Sequence, residues 1–211
     1  MKEVWLIRHG ESEANAGLVT SMPDLISLTE EGHRQAAKVS ALIPAVPSLI
    51  VFSPYLRTQQ TARPTLERFP QVERQEWNIQ EFSFLSPALC KNTSRMERRP
   101  LVEEYWQRCD PFYIHGEGAE SFADLYHRVC AMYRRIEQIE DGLVLIFGHG
   151  QFTRMFLLSL LLRPREVTPQ LMQEFIWFDK VFEIPNGGIF KVRFYGREPF
   201  ISGLISDHLQ D

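Results

Sequence analysis

Residues 3–15 read EVWLIRHGESEAN. Residues 4–7 are an unbroken apolar run, the kind that fills a buried parallel strand, and Arg8, His9 and Gly10 follow at once. A guanidinium and an imidazole at the end of such a strand add nothing to a core. They point to something that arrives from outside. Residues 142–150 repeat the design: GLVLIFGHG is a buried strand that runs into Gly148, His149 and Gly150.

The elements between and around these two strands follow from periodicity and punctuation. Residues 28–43 (LTEEGHRQAAKVSALI) predict a helix with Thr29 as N-cap, Glu30 and Glu31 at its positive end, and Pro44 and Pro47 after it. Residues 48–52 predict a second short strand. SPYLRTQQTA then opens a helix from Ser53 or Pro54, which Pro64 is expected to stop or kink. Residues 73–77 suggest a third strand leading towards Glu81. Residues 82–118 lose clear periodicity and read as an inserted lid with a short helix over 101–108. Residues 121–139 and 151–162 predict helices. Residues 174–184 and 188–195 read as two late strands, a hairpin turning at Asn186-Gly187.

Short apolar strands alternating with helices predict an α/β fold: a three-layer α/β/α sandwich with a mostly parallel central sheet. One domain over residues 1–211, carrying the insertion at 82–118, accounts for the length. In such sheets ligands bind beyond the carboxyl ends of the strands.

Composition bounds the function. Hydrophobic residues are 44% and charged residues 24% of the 211, a globular balance. The formal charge of −4 argues against a nucleic-acid partner, though it leaves room for a small basic pocket. Cys90, Cys109 and Cys130 are odd in number and lack metal-ligand spacing, so reduced structural thiols in a cytoplasmic protein are expected, with a reactive thiol as the alternative. No signal peptide is read at the N-terminus, and the apolar run at 155–162 is too short to span a bilayer, so no membrane association is expected. His33, His115, His127 and His208 form no metal-binding pattern.

Four strand ends carry chemistry: Arg8-His9-Gly10-Glu11, SPYLRTQQT with Arg57, the segment reaching Glu81, and Gly148-His149-Gly150. In a parallel sheet all four open on one rim. The set suits phosphoryl transfer. Arg8 and Arg57 can grip a phosphate monoester through forked, charge-assisted hydrogen bonds. His149 can add a donor, and glycines such as Gly150 let backbone N–H groups approach the oxygens. His9 is the candidate nucleophile and Glu81 the candidate acid and base. With this much cationic charge no metal or other cofactor is required. Glu76 is the competing carboxylate.

RHGESEAN, SPYLRTQQTA, the Glu81 region, FGHG and the helix-forming LTEEGHRQA together resemble the histidine phosphatase superfamily, the phosphoglycerate-mutase-like group, over residues 3–162 apart from the insertion. The resemblance implies a phosphorylated His9, a phosphate pocket of Arg8, Arg57 and His149, Glu81 as proton donor, and Asn15 as a phosphate or substrate contact. It implies a small phosphorylated substrate. It also leaves two reactions open, since mutases and phosphatases of the family share this set. A glycolytic mutase carries a basic pair followed by serine, an aromatic and aspartate, whereas here Arg98-Arg99 is followed by PLVEEYW, and the chain ends soon after its last strand. The expectation is therefore a metal-independent phosphatase, with a mutase or a non-catalytic phosphate-binding scaffold as alternatives. Arg95, Arg98 and Arg99 are either a solvated face or a lid for an anionic substrate. The aromatics of 82–118 either pack the insertion on the core or wall a substrate pocket.

Overall fold

The computed structural model of the chain describes residues 1–162, 165–196 and 198–210. Its strands are β1 (Lys2–Arg8), β2 (Leu49–Phe52), β3 (Arg74–Glu76), β4 (Gly142–Gly148), β5 (Ile189–Tyr195) and β6 (Glu198–Ile201), in the order β3-β2-β4-β1-β5-β6. The first four run parallel; β5 is antiparallel to β1, and β6 to β5. The helices are α1 (Glu30–Leu42), α2 (Leu56–Arg68), α3 (Pro87–Cys90), α4 (Arg95–Arg108), α5 (Phe122–Gln138), α6 (Gly150–Leu162) and α7 (Pro169–Val181).

Strand alternation builds two cores. Trp5, Ile7, Ile50, Leu145 and Phe147 point to one face, where Val39 and Ile43 at α1 and Ala62 of α2 cover them. Val4, Leu6, Leu49, Val51, Val144 and Ile146 point to the other, beneath α5, α6 and α7. This is the expected three-layer sandwich, with a mixed sheet rather than a wholly parallel one. No helix among the described residues is long and apolar enough to cross a membrane.

Register decides where the chemistry lies. Arg8 pairs with Gly148 and Phe52 with Phe147, so β1, β2 and β4 end side by side. The ladder continues one step past them: His9 N–H donates to the Gly148 carbonyl at 3.0 Å and Ser53 N–H to the Phe147 carbonyl at 3.1 Å. His9, Ser53 and His149 therefore leave the sheet at one rim.

Three expectations are corrected. Residues 174–184 are not a strand, because α7 occupies Pro169–Val181. The run of Phe175, Ile176, Trp177 and Phe178 suggested β structure, but Thr168 caps Leu171 N–H, Pro169 stands at the first helical position, and Leu171, Met172, Phe175 and Ile176 bury one helical face. Asn186-Gly187 consequently joins α7 to β5, and the hairpin is β5–β6, turning at Gly196 with φ of 62°. The helix of the insertion starts at Arg95 rather than at 101, because Ser94 and Glu97 form a reciprocal capping box and Pro100 lies in its second turn. Of the two outcomes expected at Pro64, stop or kink, the stop is excluded, because α2 continues to Arg68 with Thr61, Ala62 and Thr65 buried.

Residues 82–118 pack on the main core. Phe82 and Tyr105 are buried and meet Phe84, Trp106 and Phe122 edge-on or tilted, and Phe175 of α7 closes the cluster against Trp106 and Phe122. Most of the insertion's aromatics thus serve packing; Phe112 is exposed.

Candidate active site

His9 is 3% exposed, held by both of its ring nitrogens. Nδ1 lies 2.7 Å from the Gly10 carbonyl, which can only accept, so Nδ1 carries the proton. Nε2 then presents a lone pair, and Arg57 donates to it through Nε at 3.2 Å. Burial, followed by the charges of Arg57 and Arg8, holds the His9 imidazolium pKa well below the usual 6.5. The ring is neutral, in one tautomer, with Nε2 as its basic atom.

Arg57 stands on the first turn of α2, 6% exposed. Its Nη1 donates to the Pro23 carbonyl at 2.7 Å and its guanidinium lies 4.9 Å from the centre of the Tyr55 ring. Burial lowers its pKa to about 10, which still leaves it charged. Arg8 donates through Nη1 to the Ile184 carbonyl, and its buried Nε has no partner among the described residues. Neither arginine forms an ion pair among the described residues, although Glu81 is the carboxylate whose charge acts on both. Two desolvated cations and an unpartnered N–H are able to receive an anion there.

His149 follows β4, fully buried, its ring centre 5.3 Å from that of His9 and edge-on to it. Nε2 meets Ser53 Oγ at 2.8 Å. That hydroxyl already accepts the Tyr55 N–H, so its own proton can go to Nε2, which leaves Nδ1–H as the donor His149 can offer. Burial first, then Arg57 and His9, keeps this ring neutral as well.

Glu81 reaches the same rim from the segment after β3. Its Oε1 accepts three backbone N–H groups, from Phe82 at 3.1 Å, Gln151 at 3.1 Å and Phe152 at 3.2 Å, so the carboxylate sits on the amino end of α6. Oε2 has one longer contact, to Gln151 N–H at 3.3 Å. Gly150 lies between these groups: a Cβ there would stand 3.0 Å from Arg154 Nη1, 3.5 Å from Arg8 Nε and 3.7 Å from Glu81 Oε2. Glycine leaves that space open to a ligand. Glu76, the competing carboxylate, is on β3 and exposed, with the Gln59 amide as its contact.

Asn15 is at the outer edge. Its Oδ1 accepts from Ser12 N–H at 3.2 Å, Ser12 Oγ at 2.9 Å and Asn186 Nδ2 at 3.0 Å, which leaves its own Nδ2 directed elsewhere. One expected contribution is revised. The helix amides of Gln151 and Phe152 serve Glu81, and Gly10 N–H donates to Thr61 Oγ1 at 3.1 Å, so these three backbone donors are engaged within the protein.

The seven expected residues thus share one rim, and comparison with known proteins gives the constellation its family. The model of the histidine phosphatase superfamily (branch 1) matches residues 4–203. The chain belongs to that superfamily. Membership bears out the expected family. A phosphoglycerate mutase-like protein of Arabidopsis thaliana is 30% identical over 186 residues, 75% of this chain and 57% of that relative, so the chain spans little more than half of it. A 2,3-bisphosphoglycerate-dependent phosphoglycerate mutase of Mesorhizobium japonicum is 29% identical over 167 residues, 74% of this chain and 79% of the relative. A phosphoserine phosphatase of Entamoeba histolytica, solved with 3-phosphoglyceric acid, superposes with a TM-score of 0.75 at 22% identity over the whole of both chains, which is a likeness of fold.

The candidate site also holds residues that carry no signal of their own in the sequence. Ser53 and Thr61 lie inside the quoted SPYLRTQQTA, where their hydroxyls carried no separate signal, yet they hold His149 and Gly10. Arg154 sits one turn along α6, paired with Asp179 of α7 at 3.3 Å, and it could not be placed while residues 174–184 were read as a strand. Of the insertion's arginines, Arg98 donates to the Cys90 and Thr93 carbonyls and Arg99 pairs with Glu103 on the exposed face of α4. Arg95, at the start of α4, is exposed and its charge reaches Arg8.

Proposed function

We propose that this chain is a metal-independent phosphatase that hydrolyses a small phosphomonoester through a phosphohistidine on His9. The observation that carries the reading is the double hold on one ring: Gly10 fixes the proton on Nδ1, and Arg57, a phosphate-gripping side chain, meets Nε2. A phosphate oxygen that takes over the Arg57 donor frees the Nε2 lone pair for phosphorus.

In the first step the Nε2–P bond forms as the ester P–O bond breaks, and Glu81 gives its proton to the leaving oxygen. In the second, the Glu81 carboxylate takes a proton from water, the water oxygen attacks phosphorus, and the P–N bond breaks. Neutral His9 returns with Nδ1–H in place. Arg8, Arg57 and His149 hold the three non-bridging oxygens through both steps, and Asn15 adds its amide N–H at the rim.

Transfer to a second substrate oxygen, as in a mutase, is the competing reaction, favoured by the names of the two sequence relatives. Against it, Arg98 Nη1 is directed at the Cys90 and Thr93 carbonyls and Arg99 Nε at Glu103 on the exposed face of α4, so both side chains lean on the protein's own oxygens. The insertion, with exposed Arg95, then acts as a rim or lid over a small substrate.

The test is hydrolysis of p-nitrophenyl phosphate with chelator present. Wild type is expected to turn over and His9→Ala to be inactive. Phosphoglycerate mutation without hydrolysis would select the mutase, and phosphate binding without turnover would select a scaffold.

A further inference from the structure

The connection from α7 to β5 is the part of the site that no motif marks. Residues 182–188 read FEIPNGG, and every second residue of the first five meets a proposed site group or its neighbour. The Phe182 carbonyl accepts Arg154 Nε at 2.5 Å, the Ile184 carbonyl accepts Arg8 Nη1, and the Asn186 side chain reaches the His9 loop. Its backbone is tied to the same loop. Arg8 N–H donates to the Gly188 carbonyl at 3.0 Å, and Gly187 N–H lies 3.2 Å from both the Arg8 and His9 carbonyls.

Asn186 is the informative residue. Its Nδ2 lies 3.1 Å from the His9 carbonyl, 3.2 Å from the Gly10 carbonyl and 3.0 Å from Asn15 Oδ1. All three are acceptors, since Asn15 Oδ1 itself receives Ser12 N–H, so the amide can face them only with its NH2. Two protons serve three oxygens. The Gly10 carbonyl is the same atom that receives the His9 Nδ1 proton. A chain of contacts therefore runs from Asn186 through the Gly10 carbonyl to Nδ1–H, and so braces the acceptor that, together with the Arg57 donor at Nε2, sets which nitrogen of His9 keeps its lone pair.

We infer that Asn186 is a positioning residue that fixes the tautomer and aim of His9 through the Gly10 carbonyl, and that its second proton orients Asn15. The inference rests on the reading of His9 as nucleophile for its catalytic consequence, but its structural half stands without it. Without the Asn186 donor, the Gly10 carbonyl loses a hold at its oxygen, leaving the Glu11 N–H bond to Gln35 Oε1 at 2.8 Å as the tie on that peptide, and the Arg57 donor at Nε2 becomes the main hold on the tautomer, so part of the population protonates Nε2.

The experiment compares wild type with Asn186→Ala and the isosteric Asn186→Asp, which turns a donor into an acceptor. Three readouts are taken: long-range proton–nitrogen NMR of histidine-labelled protein, with the His9 signal assigned by its loss in His9→Gln; the binding of inorganic phosphate; and kcat for p-nitrophenyl phosphate. Wild type is expected to show one His9 tautomer, protonated at Nδ1. Asn186→Ala is expected to show a mixture, with kcat lowered about tenfold and phosphate affinity within about threefold, because Arg8 and Arg57 remain. Asn186→Asp carries the tautomer and kcat comparison if the alanine variant melts too low to study. An unchanged tautomer overturns the inference whether or not kcat falls, and so does a loss of kcat matched by an equal loss of phosphate affinity. If wild type itself fails to turn over, the phosphatase reading falls while the tautomer comparison still decides the role of Asn186.

Discussion

Arg57 donates through Nε to Nε2 of His9 at 3.2 Å, so the side chain best suited to grip a phosphate and the nitrogen best suited to attack it already touch. The contact orients both. The planar fork of Arg57 spends Nη1 on the Pro23 carbonyl and keeps its His9-facing edge at the site.

Lysine in place of Arg57 keeps one positive charge and loses the fork. We expect Arg57→Lys to lower kcat/KM for p-nitrophenyl phosphate at least about 100-fold, the scale of losing a preorganised donor to the transition state. Steady-state kinetics checks this, and a loss under about threefold would contradict it.

Glu81 is assigned the leaving-group proton. Glu81→Gln keeps an oxygen for the amino end of α6 but cannot transfer that proton. The fall in kcat should be roughly 100-fold or more with an alkyl phosphate, whose alkoxide needs protonation, and clearly smaller with p-nitrophenyl phosphate. Equal losses on both substrates would move the acid elsewhere.

Both site histidines are buried and neutral, with pKa values well below the usual 6.5, and burial lowers His208 in the same direction. The unfolded chain therefore binds more protons than the folded one once pH falls below about 6.5. Stability is fully present above that pH and is lost as pH falls through the window between 6.5 and the depressed folded values. Melting temperature should fall from pH 7.5 to pH 5.5, and inorganic phosphate should flatten the slope, because an anion beside the rings favours their protonated forms. A melting temperature that rises on acidification would refute this.

Phe175 is fully buried and Trp177 is 68% exposed, two residues apart on α7. On a strand both would face one way. Phe175→Ala is expected to cost roughly 3–5 kcal/mol by leaving a cavity in the aromatic cluster, and Trp177→Ala about 0.5 kcal/mol or less. Denaturant unfolding of the two variants gives both numbers, and similar losses would contradict the helix.

The sequence made the sheet and most of the rim legible because both rest on local signals. Residues 4–7 and 143–147 can hardly be anything but buried strands, and the parallel sheet then gathers Arg8, His9, Arg57 and His149 with little left to choose. Glu81 was harder, since the only pattern near it was a weak strand; its place depends on a distant partner, the amino end of α6. The α7 helix was misread because its bulky residues favour strands locally, whereas burial against Phe122 and Trp106 decides its conformation. Asn186 was hidden for the same reason. An Asn-Gly pair signals a turn by itself, and nothing within ten residues of it says that the turn docks on residues 8–15, about 175 positions away.

The central claim is a covalent bond at Nε2 of His9. The most direct measurement is to mix wild type with a phosphomonoester under turnover, quench rapidly with alkaline denaturant, and locate any phosphoryl group by peptide mass spectrometry. The account predicts one phosphoryl group, on the peptide carrying His9, lost in His9→Ala. A phosphoryl group on His149, or steady turnover by His9→Ala, would contradict it.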